Sequence, residues 1–190
     1  MDNIVQRFSE NVQDAAPESD ATPADGAKSK SAKAWEERFD DADFVADMYI
    51  DRHSHYVLSC EFDGAPSGLV ALNDPALTGK RPPQRGALSV VGLVSHPLSQ
   101  GVGGALVEAA ATISQIRGYS GDLLLAPIGD ASRAFYLAVG FVPDGDKLRL
   151  TPSAPENQHL WTGDDGQWRL RKYLEKPIAA TKQDLTDARP

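Results

Sequence analysis

The segment Gln100-Gly101-Val102-Gly103-Gly104-Ala105 places glycines at 101, 103 and 104, between an apolar run that ends at Val94 and a helical repeat that starts at Val102. A strand feeding such a loop at a helix N-terminus leaves backbone N–H groups unpaired and directed outward, where the helix dipole also favours an anion. Glycine in the loop lets a ligand approach the backbone closely, or permits the positive φ angles that aim the amides. The chemistry favoured is therefore phosphate or pyrophosphate binding. A P-loop is excluded, because no Gly-Lys-Ser/Thr closes the segment. The dinucleotide pattern G-x-G-x-x-G/A begins at Gly101 and Gly103 but puts Leu106 at the third small position, which makes it a poor match.

A third pattern, Q/R-x-x-G-x-G/A, is met by Gln100, Gly103 and Ala105. With Pro97 just ahead of the loop, the stretch from Val94 to Leu106 resembles the acyl-CoA signature motif of the GNAT family of N-acetyltransferases. Downstream, the stretch from Asp130 to Phe141 is similar to that family's second motif, in which a tyrosine on a short helix precedes Gly-Phe. The resemblance spans residues 56–150. It implies acetyl-CoA as co-substrate, no metal, and direct transfer of the acetyl group to a primary amine in a ternary complex. It also implies that the edge of Leu93 and Val94 holds the pantetheine, and that Gln100, Gly101, Val102, Gly103, Gly104 and Ala105 hold the pyrophosphate. Ser132 is carried over as a cofactor contact and Tyr136 as the acid that protonates the departing thiolate. An ordinary phenol near pKa 10 suits that role, and Tyr136 sits one helical turn from Ser132 on the same face.

The sequence departs from the family pattern in two places. Gly129 stands where the second motif often has asparagine, and the central strand from Leu88 to Val94 has no carboxylate to act as base. The candidate bases are then Glu61, an acidic residue of the first helix, His96, or water. His96, directly before a proline, reads more readily as a packing or surface histidine. His53 and His55 near Cys60 do not make a zinc set, with His159 far away in sequence. Cys60 falls on the apolar side of its strand and reads as core.

The elements that must position these groups follow from periodicity. Trp35, Phe39, Ala42, Val45, Ala46 and Tyr49 recur at helical spacing, opposite an acidic cluster of Glu36, Glu37, Asp40, Asp41, Asp43 and Asp47. Residues 56–62 and 68–72 read as a hairpin around Asp63-Gly64, and residues 73–86 as a mobile loop. Residues 87–94 read as a central strand covered on both faces. Val102, Ala105, Leu106, Ala109, Ala110, Ile113 and Ile116 predict a helix, residues 122–127 a second buried strand, and Asp130 the cap of a short helix with Ala131, Ala134, Phe135 and Ala138 on one face. Strand pairs follow around Pro143-Asp144-Gly145 and around residues 163–166. The expected class is α/β (α+β): a mixed central sheet with splayed parallel strands, flanked by helices. Residues 1–33 read as a disordered tail, 34–175 as the domain and 176–190 as a C-terminal tail.

Composition bounds the rest. No apolar run approaches the roughly 18 residues a membrane span needs, so no membrane partner is expected. The net charge of −8 argues against nucleic acid as a partner. One cysteine and an N-terminus without a basic n-region and an apolar h-region fit a cytoplasmic protein. The acceptor that the resemblance implies is an amine, either a small molecule or a protein lysine, and neither its identity nor the oligomeric state is legible. Two alternatives stand beside the enzyme: a degenerate acyl-CoA-binding or interaction module of the same fold, and a secreted effector that acetylates a protein in another cell, with the polar N-terminus as its address.

Overall fold

The computed structural model describes residues 4–14, 54–62, 64–78, 86–96 and 99–171. A sheet of six strands runs in the order β1-β2-β3-β4-β6-β5. Its members are β1 (Tyr56–Phe62), β2 (Ala65–Asn73), β3 (Leu88–Ser95), β4 (Leu123–Leu125), β5 (Val142–Asp144) and β6 (Lys147–Leu150). The central β3–β4 pair is parallel, and the other pairs are antiparallel. This is the expected α/β class, with a mixed sheet whose central pair is parallel. The helices are α1 (Ile4–Asp14), α2 (Val102–Ile116) and α3 (Gly129–Ala138), and a separate hairpin comprises β7 (Trp161–Asp164) and β8 (Gln167–Leu170). The acidic helix expected over residues 34–52 lies outside the described residues.

One core sits between α2 and the sheet. Alternation in the strands aims Val70 and Leu72 of β2, Leu88 and Val90 of β3, Leu123 and Leu125 of β4, and Leu148 and Leu150 of β6 at Leu106, Val107, Ala110 and Ala111 of α2. The buried stripe of α2 is therefore turned from the expected one: Val107, Ala111 and Ser114 face inward while Ile116 is exposed. Ser114 is tolerated there because its hydroxyl donates to the Asp122 carbonyl at 2.6 Å. The hairpin lies along α2, where Glu108 and Thr112, one turn apart, accept the backbone N–H groups of Leu170 (2.6 Å) and Trp168 (3.2 Å).

Two expectations are corrected. The first residues are not all tail: α1 packs on β2, and Phe8 is 0% exposed. Arg7 adds a hydrogen bond to the Gly64 carbonyl at 3.1 Å and a 3.8 Å ion pair with Glu61. A short helix gains most of its stability from tertiary contacts, so one buried aromatic suffices where periodicity is too brief to read. Phe8→Ala is expected to cost about 3–5 kcal/mol in a denaturant melt. A loss under about 1 kcal/mol would mean that α1 does not support the fold.

The stretch 73–86 is likewise not all loop. Asn73 ends β2, residues Pro75–Thr78 form a 3-10 helix, and Asp74 between them is a buried carboxylate. Asp74 accepts from Tyr119 (2.6 Å), from Arg117 (2.8 Å) and from the Ala76 N–H (2.9 Å). Burial alone would raise its pKa, but these hydrogen bonds and the Arg117 charge outweigh burial and hold it below the ordinary value. The network ties the end of β2 to the turn after α2, and so fixes the end of the sheet where β3 and β4 still pair.

Candidate functional site

Parallel pairing of β3 with β4 is confined to Leu88 opposite Leu123 and Ser89 opposite Leu124, although β3 continues to Ser95. Just past the last pair, the register with β2 slips: Leu72 faces Val90 while Ala71 faces Gly92, leaving Val91 as the extra residue. A bulge bends its strand and increases the local twist, and β4 itself ends at Leu125. From Val90 onward, among the described residues, no strand pairs with the β4-side edge of β3. Leu93 and Val94 lie on this open segment, Leu93 half-buried toward the α2 core and Val94 buried. The open edge of β3, the start of α2 and α3 meet here, with Leu93 and Phe135 both near the Cβ position of Gly103, and they border the candidate cleft.

At the head of the cleft, Gly101 adopts φ 82° and ψ −16° as the N-cap of α2, with no side-chain cap. Only glycine takes that conformation without strain. The first intrahelical bond in this turn is from Ala105 N–H to the Gly101 carbonyl at 3.1 Å, so the amides of Val102, Gly103 and Gly104 have no partner within the helix. Gln100, Gly101 and Ala105 are exposed and Val102 is half-buried over Gly68, where a Cβ would collide with it. Gly103 has a contact the sequence did not reveal. A Cβ there would lie 3.2 Å from the Phe135 ring, which would have to give by a few tenths of an ångström to admit it.

The short helix α3 differs from expectation in orientation. Ala131, Ala134 and Ala138 are exposed, no side chain caps its start, and Tyr136 is its buried residue at 7% exposure. The Tyr136 ring meets Phe135 edge-on at 5.1 Å and Phe141 at 5.2 Å. Burial pushes its phenol above the ordinary value, so it is a weaker acid than the unperturbed tyrosine assumed from sequence. Ser132 does not aim its proton at a ligand, because its hydroxyl donates back to the carbonyls of Ile128 (2.6 Å) and Gly129 (3.2 Å). Its oxygen keeps acceptor capacity only.

The structure does not bring Glu61 together with Tyr136. Glu61 stands on β1, two strands from β3, which is about 10 Å across the sheet at ordinary strand spacing. Its side chain is 43% exposed and faces Arg7. His96 is buried at the end of β3, where its backbone N–H pairs with the Ser67 carbonyl at 2.8 Å. A cavity of about 520 Å³ lies elsewhere, at the amino end of β4, lined in part by Gly86, Tyr119, Asp122, Arg149, Thr151 and Glu156. It opens where β3 and β4 are still paired and is not the splayed cleft. Among the described residues no cluster of His, Cys, Asp or Glu could hold a metal ion, and no helix is long and apolar enough to cross a membrane.

No family model matches the chain, and no curated protein matches it in sequence. Among solved structures it is similar to the PaiA N-acetyltransferase of Thermoplasma acidophilum in complex with coenzyme A, at 16% identity and a TM-score of 0.40. That match covers 76% of this chain and 91% of the other.

Proposed function

We propose that this chain is an acyl-CoA-dependent N-acetyltransferase of the GNAT type, moving an acetyl group from acetyl-CoA to a primary amine by direct transfer. The observation that carries the reading is the splayed edge of β3, running from the Val91 bulge into the Gly101-capped start of α2. An open strand edge offers N–H and C=O groups to the amides of a pantetheine arm, and the amides of Val102, Gly103 and Gly104, which have no partner within the helix, suit a pyrophosphate. The strand end and the loop are contiguous, so one extended ligand spans both.

In the transfer, the amine nitrogen bonds to the acetyl carbon, the carbon–sulfur bond breaks, and the amine gives up a proton to water or a base. Tyr136 donates a hydrogen bond to the departing sulfur. Its elevated pKa makes full transfer to a thiolate uphill, since a thiol ordinarily ionises near pKa 8.5, so Tyr136 chiefly stabilises charge on sulfur while a proton is taken up. With Glu61 held by Arg7 on an outer strand, water is the better candidate for receiving the amine proton.

A second reading is favoured by one observation. Tyr136 is packed into the core cluster, as a purely structural ring would be, which suits a binding module of the same fold. A melt with acetyl-CoA, paired with a thiol-release assay over an amine panel, separates the two. At about 100 times its Kd, a ligand that binds only the native state adds about 2.7 kcal/mol, which at this chain length raises Tm by roughly 5–10 °C. An unchanged melt removes both readings, whereas a shift without thiol release on any amine selects the binding module.

A further inference from the structure

The last carbonyls of a helix have no partner within it, and when buried they need donors from elsewhere. Just past the end of α3, the carbonyls of Val139 and Gly140 take their donors from the chain segment after β6. Trp161 Nε1 donates to the Val139 carbonyl at 2.8 Å, and Asn157 Nδ2 donates to the Gly140 carbonyl at 3.0 Å while also reaching the Thr151 carbonyl at 3.0 Å. Trp161 is 2% and Asn157 4% exposed, so water cannot take over either bond without opening the core. Gly140 has φ 98°, and a Cβ on it would lie 2.5 Å from Asn157 Oδ1, so the turn and the amide fit only as glycine beside asparagine.

This clasped turn carries Tyr136. The Tyr136 carbonyl accepts from Val139 N–H at 3.2 Å and Phe141 N–H at 3.1 Å, and its ring rests on Phe141. The other end of α3 has no side-chain cap, and the helix exposes Ala131, Ala134 and Ala138, so its fixed point is the C-terminal turn. We infer that Asn157 and Trp161 are positioning residues for Tyr136, fixing its ring against Phe141 through the backbone of residues 139–141. This rests on the acetyltransfer reading above for its functional meaning.

The test uses the full chain and two conservative variants. Trp161→Phe keeps a ring and removes the N–H, while Asn157→Asp keeps the shape and replaces the donor by an oxygen. Both are assayed well below their melting temperatures. The expected result is a kcat about tenfold lower with the Kd of acetyl-CoA within twofold of the parent. Amide exchange at Val139 and Phe141 should be at least tenfold faster, with that of Leu148 in β6 unchanged. A merely structural role would instead speed exchange at all three amides together and leave kcat intact, and that result overturns the inference. If one variant does not fold, the other carries the comparison. Should the parent show no thiol release, the acetyltransfer reading falls, yet the exchange pattern still decides whether these side chains fix the turn that bears Tyr136.

Discussion

Tyr136→Phe is expected to lower kcat by about 100-fold while leaving the Kd of acetyl-CoA within twofold. The ring contacts with Phe135 and Phe141 survive the change, so the loss isolates the hydroxyl. Because burial raises the phenol's pKa, the group stays protonated throughout the range in which an amine acceptor loses its proton. The parent's kcat/KM should therefore climb with pH as the amine becomes neutral, and show no decline from Tyr136 below about pH 10. A variant within threefold of the parent across that range would remove the phenol from the mechanism.

Gly103→Val should abolish the acetyl-CoA-induced rise in Tm, corresponding to affinity weakened by more than about 100-fold. Two causes can be told apart. The new side chain crowds the amides at the head of α2, and it also meets the Phe135 ring, which already lies 3.2 Å from the Cβ position. The double variant Gly103→Val, Phe135→Ala removes the second collision. If stability returns but binding does not, the loop itself is the phosphate site. If binding returns to within twofold of that of Phe135→Ala alone, the loop was not obstructed and its assignment fails.

The parts of the fold that local pattern controls were legible in the sequence. The loop and α2 announce themselves through glycines at 101, 103 and 104 and a long repeat, and β1, β2 and the two terminal hairpins through alternation and turn residues. What stayed hidden is set by partners distant in the chain. The Val91 bulge looks like any apolar strand residue until its β2 neighbours are counted. Phe8 becomes core only because β2 offers it a surface, and Asp74 is loop-like in sequence but anchored by Arg117 and Tyr119. On α3, the alanines suggested the inward face, yet Tyr136 turns inward because Phe141 and the α2 core receive its ring. The resemblance carried neither the contact of Gly103 with Phe135 nor the self-satisfied hydroxyl of Ser132.

The donors at the end of α3 lie 17 and 22 residues away from the carbonyls they serve. During synthesis, at about 5–20 residues per second, residues up to Gly140 emerge roughly 1–4 seconds before Trp161 can reach them. For that interval the nascent chain has its glycine loop and most of its sheet sequence but an unclasped α3, with the Val139 and Gly140 carbonyls left to water. The cleft is therefore completed late, after the strands that shape it are available. A nascent chain whose emerged part ended between residues 150 and 156 would display the loop with Tyr136 still loosely held.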